Sequence, residues 1–192
     1  MRFNPTLYRL MLAGILGLST LATTANADAL VDACNKCHAP DKTDVPVISG
    51  ISAFALEEAL LAYSSGARKA RVHDGKDMKT ELEKLTEAQI KTLIEHYSAQ
   101  KFTPVKQSVD ATLVAQGAKL HEAHCEKCHT ENGALADDDS SILAGQWKGY
   151  LVEELKQYKN GGRTGDKKMI EVLKGMSDEQ INALAEFYAS QQ

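Results

Sequence analysis

All four cysteines of the chain fall in two pentapeptides of one form, Cys34-Asn35-Lys36-Cys37-His38 and Cys125-Glu126-Lys127-Cys128-His129, 91 residues apart. That repetition constrains the architecture more than any other feature. Gly50, Tyr63, Gly66 and Arg68 recur at a shift of 95 as Gly145, Tyr158, Gly161 and Arg163. Met78, Thr86, Gln89, Ile90 and Tyr97 then recur at 91 as Met169, Ser177, Gln180, Ile181 and Tyr188. The first copy is four residues shorter before Gly50 and four longer in the loop around His73. Length changes confined to loops are what a duplicated fold tolerates. The chain therefore reads as one small unit built twice, with each copy near the lower size at which a core holds itself together.

Within each copy the pattern is helical. Thr86 to Gln89 and Ser177 to Gln180 fit capping boxes, in which a hydroxyl and an amide satisfy the free N–H groups at a helix start. The stretches that follow put Ile90, Leu93, Ile94 and Tyr97, or Ile181, Leu184, Ala185 and Tyr188, on one face. A second amphipathic segment precedes each recurring methionine, Phe54 to Ser64 and Tyr150 to Tyr158, with Gly66 and Gly161-Gly162 placed where those helices stop. No run of alternating strand residues is present, so the fold class expected is all-α.

The pentapeptides carry the chemistry. C-x-x-C-H lets two thiols form thioethers to the vinyl groups of a haem while the adjoining histidine reaches its iron. Two disulfides, a zinc site or a thioredoxin-like redox pair are the competing uses of such cysteines. A redox pair does not require the histidine and belongs in a βαβ setting; zinc is disfavoured because each motif sits in its own repeat. The sequence thus predicts two covalently bound haem c groups on Cys34, Cys37, Cys125 and Cys128, with His38 and His129 as metal ligands.

An electron-shuttling iron needs a second axial ligand. Met78 and Met169 each lie 40 residues after the motif histidine, an equality that survives the indels between them. A thioether favours ferrous iron and raises the potential. The bland use of either methionine is core filling, yet both follow polar, glycine-containing loops. Met176, the rival in the second copy, aligns with Leu85 and reads as core. His73, His96, His121 and His124 do not recur at the repeat shift and read as surface or packing residues, His73 being the least secure because its loop leads to Met78. Pro46 resembles the proline that, in many small c-type cytochromes, offers its carbonyl to the Nδ1–H of the motif histidine and fixes the ring; the corresponding residue is Ser141, whose carbonyl is available but whose backbone lacks proline's rigidity. Asp137-Asp138-Asp139 reads as a solvated loop, since a fuller calcium-ligand pattern is missing.

The chain opens with Arg2, Arg9, an apolar run from Leu10 to Leu21 and an A-x-A site ending at Ala27, the pattern of a signal peptide over 1–27, with the mature protein in the periplasm. The run is shorter than the roughly 20 residues a membrane-spanning helix needs. Removing it takes two arginines from a formal charge of -4 and leaves 20 basic and 26 acidic residues. A net acidic chain is poorly suited to nucleic acid.

These motifs, with Leu143-Ala144-Gly145-Gln146, Tyr150-Leu151, Gly161-Gly162-Arg163 and the terminal helix, resemble di-haem cytochromes of the cytochrome c4 type. The second half, from Gly117-Ala118-Lys119-Leu120-His121 to Phe187-Tyr188-Ala189-Ser190-Gln191-Gln192, is most similar to the di-haem subunit of flavocytochrome c sulfide dehydrogenase, as is the short lead-in from Asp28 to Cys34. The resemblance implies two tandem class I cytochrome c domains, 28–104 and 105–192, related by pseudo-twofold symmetry, each with His/Met iron. It also implies an electron-transfer role without substrate chemistry, with a flavoprotein sulfide dehydrogenase subunit as donor. The alternative is a free carrier donating to a terminal oxidase, with peripheral association at the membrane. A di-haem peroxidase or a haem gas sensor would need an open coordination position, against which the paired methionines argue. No dinucleotide-binding glycine motif is present to hold a flavin.

Overall fold

The computed structural model describes residues 19–39, 43–135 and 140–192. Residues 1–18 of the expected signal segment lie outside the described residues, as does Asp137-Asp138-Asp139. The first half contains α1 (Ser19–His38), α2 (Ala53–Ser65), α3 (Met78–Leu82) and α4 (Glu87–Ser98). The second contains α5 (Ala111–His124), α6 (Thr130–Gly133), α7 (Lys148–Lys159), α8 (Lys167–Gly175) and α9 (Asp178–Ala189). Among the described residues there is no strand, only two isolated bridges, Arg68 with Arg163 and His73 with Lys76. No helix among them is long and apolar enough to cross a membrane. The expected cleavage point after Ala27 falls within α1.

The helix boundaries follow from local chemistry. Both capping boxes form: the Thr86 hydroxyl accepts from the Gln89 N–H and the Ser177 hydroxyl from the Gln180 N–H, with each glutamine amide returning to the cap. Gly66 ends α2 in the left-handed conformation at φ 79°, donating to the Tyr63 carbonyl. Each half then closes round its own core. Ile51, Leu56, Leu93 and Tyr97 form one, and Leu151, Leu173, Met176, Ile181, Leu184, Phe187 and Tyr188 the other. In the second, α5 crosses α9 so closely at Gly117 that a Cβ there would lie 2.0 Å from the Ala183 carbonyl oxygen.

Equivalent contacts recur in the two halves. Gly50 N–H donates to the Tyr97 carbonyl and Gly145 N–H to the Tyr188 carbonyl, each at 2.8 Å. Both glycines have positive φ, and the segment joining the halves lies over both. A Cβ on Gly50 would meet Phe102 N at 2.1 Å, and one on Gly145 would meet Pro104 Cβ at 2.5 Å.

The halves meet around a local twofold. Lys69 N–H donates to the Gly162 carbonyl at 2.7 Å, and Thr164 N–H to the Ala67 carbonyl at 2.9 Å. Under the repeat shift of 95, each of these bonds maps onto the other. Arg68 and Arg163 lie at this crossing and stack on Tyr63 and Tyr158, 4.4 and 4.5 Å above the rings. Glu154 breaks the symmetry, for its position in the first half is held by Ala59. Its buried carboxylate takes both guanidinium groups, at 2.8 Å from Arg68 and 2.7 Å from Arg163. Gln146 adds a second asymmetric tie, donating to the Val47 carbonyl at 2.8 Å and accepting from its N–H at 3.0 Å.

Candidate haem-binding sites

The first pentapeptide ends a helix and the second follows one. Cys34 to His38 occupy the last turn of α1, whereas α5 stops at His124 and the Cys125 N–H donates to the His121 carbonyl at 2.7 Å. Each motif is anchored to the terminal helix of its own half by a repeated tyrosine. Tyr97 donates to the Asn35 side chain at 2.9 Å. In the second half His121, 2 % exposed, stands between the corresponding groups. Its Nδ1 lies 3.0 Å from the Tyr188 hydroxyl, and its Nε2 meets the Glu126 carboxylate. His121 is thus a packing residue, as the sequence suggested, but its role in holding the motif was not legible, because Leu30 occupies the same repeat position.

Cys34, Cys37, Cys125 and the two motif histidines sit in partly enclosed settings, while Cys128 is exposed. Burial raises the pKa of Cys34, against a lowering by the Tyr97 hydroxyl, and burial likewise raises that of Cys125. His38 is held below the usual histidine range, chiefly by burial, and His129 by burial and the nearby His121. A neutral imidazole is the form that can ligate a metal.

The methionines lie in the first turns of helices rather than in the loops that precede them. Met78 opens α3 behind the cap Asp77, and Met169 follows Lys167 and Lys168 in α8 behind the cap Asp166. Met169 packs beside the second core, and its Cε is 3.0 Å from where a Cβ on Gly165 would sit. Met176 is buried inside that core at 6 % exposure, while Leu85, its repeat counterpart, packs against the first core. His73 pairs with Asp44, Nδ1 to Oδ2 at 3.1 Å, so its ring is engaged on the Pro46 side of the first unit. His96 contacts Gln100 and Tyr97 at the surface, and His124 is exposed.

The histidine contacts differ between the halves. His38 Nδ1 donates to the Pro46 carbonyl at 2.9 Å, the bond the sequence anticipated. Ser141, whose carbonyl the sequence leaves available, makes no such bond, and the buried His129 Nδ1 has no partner among the described residues. Past Ser141 the backbone is drawn instead to α6, where the Gly133 carbonyl accepts from Leu143 N–H at 2.9 Å and Ala144 N–H at 3.0 Å. Ser141 lacks the fixed φ by which proline holds a carbonyl in place.

The donor chemistry in each half fits haem c: two thiols one turn apart, a neutral imidazole beside them and a thioether further along. Arg68 Nε and Trp147 Nε1 are buried N–H donors with no protein acceptor among the described residues, suited to carboxylates of the kind haem carries.

This arrangement defines a c-type cytochrome with two haem units. The cytochrome c family model matches residues 114–192. The chain is 27% identical over 184 residues to the thiosulfate dehydrogenase electron acceptor of Stutzerimonas stutzeri, covering 88% of this chain and 83% of that protein. It is 25% identical to cytochrome c4 of Pseudomonas aeruginosa, covering 96% and 97% of the two chains. The cytochrome c4 structure from Acidithiobacillus ferrooxidans superposes with a TM-score of 0.69 at 25% identity, covering 83% of this chain and 99% of that one. The chain belongs to the di-haem cytochromes of the cytochrome c4 type. It carries two covalently bound haem c groups on two class I cytochrome units, and it transfers electrons.

Proposed function

We propose that the chain is the electron-accepting cytochrome subunit of a periplasmic sulfide dehydrogenase, drawing its electrons from a flavoprotein and performing no substrate chemistry itself. The reading assigns Cys34, Cys37, Cys125 and Cys128 to thioether attachment, and takes His38, Met78, His129 and Met169 as the residues that would ligate the iron. The units span 28–104 and 105–192, after removal of a signal peptide ending at Ala27. The observation that carries the reading is the repetition of a full donor set, thiol pair, neutral imidazole and thioether, in both units. Such a set closes the metal to sulfide or peroxide, so two-electron chemistry must occur on another subunit.

Haem c supplies reversible one-electron storage. The protein's own contribution is geometric and electrostatic. Tyr97 and the Tyr188–His121–Glu126 chain hold the pentapeptides against the terminal helices, Pro46 orients the His38 ring, and Glu154 with its two arginines fixes one unit against the other. The family resemblance of the second half supports the sulfide dehydrogenase. A second reading, electron acceptor of a thiosulfate dehydrogenase, is supported by the Stutzerimonas stutzeri relative.

Anaerobic mixing of the holoprotein with each substrate and each dehydrogenase separates these readings. Sulfide should reduce the cytochrome catalytically only when the flavoprotein is added. Reduction by thiosulfate with its dehydrogenase, and none with the flavoprotein, would move the assignment to the second reading. Turnover with sulfide by the cytochrome alone would overturn both, and native isolation as a lone protein inert to either dehydrogenase would make it a free carrier to an oxidase.

A further inference from the structure

The carbonyl that meets the His38 ring is itself held from the other half of the molecule. His38 Nδ1 donates to the Pro46 carbonyl at 2.9 Å. That oxygen and the Val47 N–H belong to one planar trans peptide group and point to opposite sides of it. The Val47 N–H donates to Gln146 Oε1 at 3.0 Å, and Gln146 Nε2 donates to the Val47 carbonyl at 2.8 Å, both bonds being buried. We infer that Gln146, in the second unit, is a positioning residue for the haem of the first: its amide holds and polarises the Pro46–Val47 peptide group that fixes the His38 ring. The inference rests on the reading of His38 as an iron ligand above.

Gln146 is itself firmly placed. It is 1 % exposed. Its backbone carbonyl accepts from Gln107 Nε2 at 2.8 Å, and the N–H of Gly145 before it donates to the Tyr188 carbonyl at 2.8 Å. The loop it grips lies so close to the second unit that a Cβ on Gly149 would sit 3.2 Å from the Thr43 carbonyl oxygen. A peptide group whose N–H donates has a more negative carbonyl, because linked hydrogen bonds polarise one another. A stronger acceptor on Nδ1–H in turn orients the imidazole and raises its basicity as a ligand. The arrangement is not reciprocal. Under the repeat shift of 95, Gln146 maps onto Ile51, whose side chain neither donates nor accepts, and the buried His129 Nδ1 has no partner among the described residues.

Two variants of the holoprotein separate positioning of His38 from mere attachment of one unit to the other. Gln146→Met keeps the length of the side chain and removes both bonds. Gln146→Glu keeps an acceptor for the Val47 N–H whether its carboxyl is charged or protonated. In the ferrous protein, nitrogen-edited NMR should show the His38 Nδ1–H of Gln146→Met exchanging with solvent deuterium up to about tenfold faster, the scale of one lost hydrogen bond. The potential of the first unit should rise in the same variant, because a less basic ligand favours ferrous iron. Gln146→Glu should retain the protection of His38. Equal loss of protection in both variants, as a purely structural tie predicts, or no change in Gln146→Met, would overturn the inference. Should Gln146→Met fail to fold, the wild type supplies a second readout. With rising urea its His38 Nδ1–H and Val47 N–H should open together along one slope, and independent exchange of the two would overturn the inference. The ferric spectrum tests the underlying reading separately, since a ligating His38 ring is paramagnetically shifted; an unshifted ring would overturn the ligand assignment and the inference with it.

Discussion

At the residue scale, His121 makes the attachment of the second pentapeptide more demanding than that of the first. Tyr97 reaches Asn35 directly at a partly exposed position, whereas the Tyr188 hydroxyl serves a histidine that is 2 % exposed. Tyr97→Phe should therefore cost about 0.5–1.5 kcal/mol, the net worth of an ordinary hydrogen bond, and Tyr188→Phe about 1–3 kcal/mol because it strands a buried ring nitrogen. Denaturant titration of the two variants checks the order, and equal losses would contradict it. The three methionines separate by a different measurement. Met78→Ala and Met169→Ala should each remove one methionine-to-iron charge-transfer signal and lower one reduction potential. Met176→Ala should leave both signals and cost about 2–5 kcal/mol in stability as a cavity in the second core. Persistence of both signals in Met169→Ala would return Met176 as the ligand candidate. The motif cysteines and histidines and the two methionines are candidates that spacing alone singles out. The missing His129 partner was not legible, since Ser141 has a carbonyl like any residue, and only the path of the backbone decides where it points.

At the element scale, the terminal helices were the most legible, since hydroxyl and amide at the correct spacing announce α4 and α9 before any packing is known. Other features depend on tertiary context. The turn at α6 holds Glu131 and Asn132 at φ 54° and 59°, a conformation that no residue type in Thr130-Glu131-Asn132-Gly133 demands except the glycine. α8 begins at Lys167, within the polar lead-in that reads as loop, so Met169 lies in its first turn. Gly117 reads as a mere weak point in a helical stretch, yet it lets α5 approach α9. Gly117→Ala should destabilise the second unit by about 1–3 kcal/mol through overpacking, because its Cβ would press on backbone rather than on a flexible side chain. A thermal melt followed by circular dichroism measures this, and a variant as stable as the wild type would mean that the two helices separate easily.

At the scale of the whole molecule, the repeat predicted two similar units but not how they are joined. Arg68 and Arg163 were visible as a repeated pair, while Glu154, which neutralises them together, has alanine at its counterpart and no signature in the repeat. Burial of the cluster also pushes the Tyr63 hydroxyl up to about 12. Glu154→Gln removes the carboxylate shared by two enclosed guanidinium groups and should cost about 3–5 kcal/mol, the scale for breaking a buried pair by removing one partner. The loss should fall on the contact between units, so that unfolding separates into two transitions; a single unshifted transition would show that the backbone bonds at the twofold suffice. The proposed protein is a carrier with two closed, unequal one-electron sites. An anaerobic potentiometric titration of the purified holoprotein, read optically, tests it most directly. Two one-electron steps at different potentials, with low-spin spectra and methionine-to-iron bands in the oxidised protein, are the predicted result. A single electron per chain, or a high-spin site that takes up exogenous ligands before any change of potential, would contradict it.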